Sequence, residues 1–162
     1  IFFYLGLLLN VALSFYILTI SISGSFYPLD LKSNPLRKNL GFKNLAIKIN
    51  DTYINENISK IVFEKRGDIS RFNYYLTRNN NNLVNKVFLK TNSKVPGNFY
   101  EANFNYDLAK KVKGEKVLIV NNVFNVKNNT YSLDEIKLLK SISSITVKNL
   151  KRTYFLYIGK IK

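Results

Sequence analysis

The stretch FEKRGD places Glu64, Arg66 and Asp68 around Gly67. Two carboxylates four residues apart could work as general acid and general base. A solvated turn between two strands gives the same string, and that simpler arrangement is the expectation here. The Arg66-Gly67-Asp68 tripeptide would act in adhesion only on an extracellular loop. The ten carboxylates of the chain otherwise form no D-x-D or E-x-x-E pattern. Catalytic and cofactor chemistry is further narrowed by composition. The chain has no Cys and no His, which removes thiolate nucleophiles, Fe–S ligation, the commonest metal ligand and the commonest general base. No catalytic residue, cofactor or metal is therefore expected, and the chain reads as a non-enzyme.

Cationic residues offer more. AKKVKGEK at 109–116 carries Lys110, Lys111, Lys113 and Lys116 around Gly114. A phosphate-binding loop needs G-x-x-x-x-G-K-[ST] after a strand, so that backbone amides cradle the phosphates. This segment has one glycine and no hydroxyl residue after its lysine, so it reads as a basic helix end. VKNLKRTYFLYIGKIK at 147–162 interleaves Lys148, Lys151 and Arg152 with Tyr154, Phe155 and Tyr157. Basic and aromatic side chains in alternation hold single-stranded nucleic acid by stacking and charge, although an amphipathic strand looks the same. Lys110, Lys111, Lys113, Lys148, Lys151 and Arg152 are thus the candidate contacts to phosphate or to an acidic partner. An RNA-binding surface would require them to converge on one face.

The charge is segregated along the chain. The first charged residue is Asp30, yet the whole carries a formal net charge of +15. Residues 1–22 are long and apolar enough for a membrane helix, which needs about 20 such residues to cross roughly 30 Å of hydrocarbon. A signal peptide would have a basic n-region and a shorter core. A buried helix of a soluble domain would keep a polar stripe. A transmembrane anchor over 1–23 is the expectation. Asn10 hints at a neighbouring helix, because a lone amide in a membrane helix gains from bonding across. Lys32, Arg37, Lys38, Lys43 and Lys48 follow the apolar run, so the basic part belongs on the matrix or cytoplasmic side. Lys32, Arg37 and Lys38 fall where lipid headgroups would meet them, and each such contact contributes about 1 kcal/mol near anionic lipid.

Residues 24–43 read as a juxtamembrane connector broken by Gly24, Pro28, Pro35 and Gly41. Residues 44–162 read as one basic α+β domain, richer in strand than in helix. Period-two alternation predicts strands over 45–49, 61–64, 72–76 and 100–106. The continuous apolar runs at 116–120 and 153–158 predict central strands. Asp107 and Gly114 predict a helix over 106–114. Ser132 and Glu135 match a capping box, followed by Leu133, Ile136, Leu139 and Ile142 at helical spacing. A helix over 132–143 is therefore predicted, with Ser132→Ala costing about 1 kcal/mol. TRNNNNLVN at 77–85 reads as a hairpin tip, VPGN at 95–98 as a turn and 125–132 as a loop. Three sequons, at Asn50, Asn57 and Asn128, are expected by chance among 23 asparagines.

Asn, Lys, Ile, Phe and Tyr dominate, and 20 of the 25 basic residues are Lys. Their codons are A/T-rich, which points to an AT-rich genome such as an organelle's. The leading expectation is a non-catalytic single-pass accessory subunit of a large membrane complex, of the respiratory type in a mitochondrial or other organellar inner membrane. Its partners would be neighbouring subunits and anionic lipid. The alternative is a divergent basic RNA-binding protein, such as an organellar ribosomal protein contacting rRNA.

Overall fold

The computed structural model describes residues 2–23, 40–90, 99–124, 126, 133–145 and 151–162. The chain separates into two units: residues 1–40 with 145–150, and Gly41–Ser144 with Lys151–Lys162. In the first unit, helix α1 spans Phe2–Ser23. Its side chains from Phe2 to Thr19 are all exposed.

The second unit is mixed α and β. Its elements are α2 (Phe42–Asn55), β1 (Lys60–Phe63), α3 (Arg66–Asn79), β2 (Val87–Leu89), α4 (Phe99–Phe104), β3 (Lys116–Asn121), β4 (Lys137–Ile145) and β5 (Lys151–Lys160). Among the described residues the strands form one sheet in the order β2-β1-β3-β5-β4. β1 pairs in parallel with both β2 and β3, and β3 pairs antiparallel with β5. Every residue of β1 is buried, as is all of β3 after Lys116. Strands buried on both faces read as unbroken apolar runs rather than alternations, which is why KIVF and KVLIV look as they do.

Two apolar layers sandwich that sheet. On one face Phe42, Leu45 and Ile49 of α2 and Ile69, Phe72 and Leu76 of α3 pack with Ile61, Phe63, Leu118 and Val120. Phe72 stacks on Phe63 with ring centres 5.1 Å apart and meets Phe42 and Tyr154 edge-on. Such aromatic pairs add about 0.5–1.5 kcal/mol each beyond their buried area. On the other face Tyr106 and Leu133 pack with Val62, Val117, Ile119, Tyr157 and Ile161. The path from β1 to β2 runs through α3 on the first face. The path from β2 to β3 returns past Tyr106 on the second.

Several predicted elements change type. The strand expected over 45–49 is part of α2. Leu45 and Ile49 are buried, but so are Phe42, Ala46 and Tyr53, while Ile47 is 42% exposed. The alternation was a fragment of a 3.6-residue period. The strand expected over 72–76 is α3 for the same reason: Ile69, Phe72 and Leu76 are buried and Tyr74 is 56% exposed. Residues 100–106 form the end of α4 and the start of a 3-10 turn, Tyr106–Leu108, rather than a strand. That short turn also replaces the helix predicted over 106–114, and Gly114 stands in a left-handed turn at φ 83°. The 77–85 segment is no hairpin tip. It closes α3 and forms a 3-10 turn, Asn81–Leu83, leading into β2.

The helix predicted over 132–143 is overturned. Residues 137–145 are strand β4, and Ser132 lies outside the described residues. Leu133 and Ile142 are both buried, but they belong to opposite faces of the sheet. They therefore do not share the helical stripe that their spacing suggested. Pairing beside β5 supplies backbone hydrogen bonds that outweigh a weak local preference. Gly159 of β5 explains how the preceding segment docks. A Cβ there would lie 3.0 Å from Leu133 Cδ1 and 3.2 Å from the Glu135 carbonyl oxygen. Helix α2 begins at Phe42, and residues 24–39 of the expected connector lie outside the described residues. Residues 95–98 and most of the 125–132 loop lie outside the described residues.

Phe72→Ala removes a ring at the centre of the larger core, and about 3–5 kcal/mol of stability should go with it. Tyr74→Ala, two residues on and on the exposed side of α3, should cost well under half as much. Urea denaturation of the two variants beside the parent chain checks the difference.

Candidate functional site

Helix α1 carries no charge and is apolar on every side. Its 22 residues rise about 33 Å at 1.5 Å each, matching the hydrocarbon thickness of a bilayer. A helix of this length and composition near an N-terminus suits a membrane span or a signal sequence alike. Two of its polar side chains bond within the helix. Asn10 Nδ2 donates to the Gly6 carbonyl at 3.0 Å, and Thr19 Oγ1 donates to the Tyr16 carbonyl at 2.8 Å. Asn10 thus has one partner within its own helix, which leaves its Oδ1 and second N–H for a neighbour.

At the carboxyl ends of the parallel strands the chain reverses direction about β1, where open α/β sheets place ligands. Glu64 follows β1, and its carboxylate accepts a hydrogen bond from Asn121 Nδ2 at the end of β3. Asn121 Oδ1 in turn accepts from the Val123 backbone amide at 3.1 Å. Asp68 stands in the first turn of α3, 7% exposed. It accepts from the Tyr154 hydroxyl at 2.8 Å, with Arg71 at 4.0 Å. The guanidinium groups of Arg71 and Arg152 lie 5.2 Å and 4.9 Å from the Phe42 ring centre. FEKRGD is thus a strand-to-helix junction, not a solvated turn between strands. Its carboxylates diverge, Glu64 to β3 and Asp68 to β5.

Burial raises the Asp68 carboxyl above its ordinary 3.8, while the Tyr154 hydroxyl and the charges of Lys65, Arg71 and Arg152 pull it back down. Burial also pushes the Tyr154 phenol up, reinforced by the charge of Asp68 and by the bond to it. Tyr106 is pushed up to about 12 by burial, then by the charges of Asp107 and Glu115. These shifts favour uncharged groups held inside a core. The two phenols are moved further from neutrality by their shifts.

The amino ends of the same strands carry an open groove. Tyr53, Asn57, Ile58 and Lys86 line its centre, with Lys60, Lys110 and Glu115 to one side. Lys60 and Glu115 form an ion pair, and Lys86 Nζ donates to the Tyr53 hydroxyl at 3.3 Å. Beyond the groove Asp107 binds Lys90 at 2.7 Å and Lys111 at 3.7 Å. Lys111 also stands 4.5 Å from the Tyr106 ring centre.

The candidate cations fall into two sets. Lys110, Lys111 and Lys113 precede β3 at its amino end, where the Gly114 amide donates to the Ile161 carbonyl at 2.9 Å. Lys151 and Arg152 open β5, which runs antiparallel so that Asn121 faces Phe155 and Lys116 faces Lys160. Lys110 and Lys113 therefore lie toward one end of the sheet and Lys151 and Arg152 toward the other, while Lys111 reaches Asp107, the partner of Lys90 just after β2. Lys148, and the candidate headgroup contacts Lys32, Arg37 and Lys38, lie outside the described residues. Among the described residues no group of three carboxylates or other donors is placed to hold a metal. No family model, curated protein or solved structure matches the chain.

Sequence spacing could not find the Asp68–Tyr154 or Glu64–Asn121 bonds, whose partners are 86 and 57 residues apart. A raised native pKa means that folded Asp68 holds a proton which the unfolded chain has already released. Its contribution to stability is present below 3.8 and falls as pH rises through the raised value. Asp68→Asn keeps an acceptor for Tyr154 and removes this ionisation. The variant should therefore gain on the parent chain as pH rises from about 4, levelling once native Asp68 is ionised. Urea unfolding across that range reads the gap, and a gap independent of pH would refute the shift.

Proposed function

We propose that the chain is a non-catalytic, single-pass subunit of a large membrane protein complex, held by α1 in an organellar inner membrane of the mitochondrial type. The basic domain stands on the matrix side. The observation that carries this reading is α1 itself, uncharged and apolar on all faces, with Asn10 and Thr19 bonded to carbonyls of the same helix. In hydrocarbon every polar group must find such a partner. The cations that follow, Lys32, Arg37 and Lys38 first, support the orientation by the excess of positive residues. They would meet anionic headgroups.

The domain's role in this reading is contact. Several of its carboxylates are turned to bonds within the domain, with Asp68 on Tyr154, Asp107 on Lys90 and Glu115 on Lys60. The lysine excess is left for acidic surfaces of neighbouring subunits. A second reading, an RNA-binding protein of the organellar ribosome, draws on the net charge of +15. The division of the candidate cations between two ends of the sheet favours the first, because a single RNA strand is best held by cations on one track.

Alkaline carbonate extraction of native membranes should leave the intact chain in the pellet. Its release into the soluble fraction would sink the anchor. Titration of the detergent-solubilised chain with RNA at two salt concentrations separates the readings. Weak, indiscriminate binding that salt abolishes is expected; tight binding that survives competitor RNA would favour the ribosome.

A further inference from the structure

Among the described residues β4 is the last strand on its side of the sheet. An edge strand presents backbone N–H and C=O groups that have no ladder partner. β4 is nine residues long, whereas β2 at the opposite edge has three. Its two halves differ. Ile142 and Ser144 are buried, and Lys48 of α2 donates to the Ser143 carbonyl at 2.6 Å. In the other half Lys137, Leu138, Lys140 and Ser141 are exposed.

That exposed half is cationic. Lys137 pairs with Glu135 at 2.9 Å, but both side chains are about two-thirds exposed or more, at 67% and 70%, and such pairs contribute little. Lys140 has no ion-pair partner among the described residues. Side chains alternate along a strand, so the two lysines stand on opposite faces of the edge. Lysines on an edge discourage pairing with another copy, because like charges would meet across the new ladder. The same lysines attract a strand of opposite charge.

We propose that the β4 edge over residues 137–141 takes an extended acidic segment of a partner protein as a sixth strand. Backbone hydrogen bonds supply the register, and carboxylates on the two faces of the segment meet Lys137 and Lys140. This mode of recognition joins main-chain pairing to side-chain selection. It deepens the subunit reading by naming a docking surface and the chemistry of the neighbour. It does not depend on α1: a chain released by carbonate that still bound at β4 would lose the anchor and keep the edge.

The probe is a blocked eight-residue peptide of Thr with Glu at its third and sixth positions, so that one carboxylate stands on each face of the strand, offered to the full chain in detergent micelles. Binding is read by fluorescence anisotropy, and β4 by amide hydrogen exchange. Amides in residues 137–141 should slow about tenfold at saturation. The peptide methylated on alternate backbone nitrogens keeps its charge but loses ladder donors, and should bind about tenfold more weakly. The Lys137→Glu, Lys140→Glu double variant should lose binding by a similar factor, with its circular dichroism unchanged. Equal binding of the methylated peptide would overturn the proposal, since charge alone would then account for it. So would unchanged exchange in β4, or protection of β4 that grows with protein concentration in the absence of peptide.

Discussion

The second unit depends on the burial of β1. Its four residues have all their side chains out of water, two faces deep. A strand in that position must have a neighbour on each edge and a cover on each face. The chain meets the demand by winding to β2 through α3 on one side and back to β3 on the other. Parallel neighbours require such long crossovers, and the crossovers are what cover the faces. The aromatic stack of Phe63 on Phe72 and the seat of Tyr106 beneath Val62 follow from the two halves of that winding.

Polar groups are arranged around the same strand. Glu64 leaves its carboxyl end and ties it to β3 through Asn121. Lys60 opens it and pairs with Glu115, just ahead of β3. Asp68, at the start of α3, reaches Tyr154 on β5. In each case a carboxylate is used to hold one element to another. Charges left in a partly dry environment are costly unless paired or hydrogen-bonded. The strongly positive net charge follows from 25 basic against 10 acidic residues, and it sets the kind of surface that the domain meets well.

Helix α1 obeys a different solvent rule. Its apolar side chains from Phe2 to Leu18 face outward all round, which water does not favour and hydrocarbon does. Asn10 and Thr19 illustrate the point, since each bonds to a carbonyl of its own helix. The two units thus solve opposite problems, one hiding apolar surface and the other displaying it.

The apolar helix and the strands at 116–120 and 153–158 were legible in the sequence because each depends on composition in a continuous run. β1 was legible as a strand, but its alternation suggested one wet face where the fold buries both. The α2 and α3 helices were misread because short alternations such as Leu45-Ile47-Ile49 satisfy both a two-residue and a 3.6-residue period over so few positions. Only the buried Phe42, Ala46 and Tyr53 separate them, and their burial is known once the sheet is in place. β4 shows the converse. Its capping box and spacing describe a helix, yet pairing beside β5 makes it a strand, since hydrogen bonds to a neighbouring strand are invisible to local spacing. The clamps from Asp68 to Tyr154 and from Glu64 to Asn121, and the separation of the basic residues between two ends of the sheet, were decided by tertiary structure alone. They join positions tens of residues apart, and distance along the chain says nothing about distance through a fold until the topology fixes it.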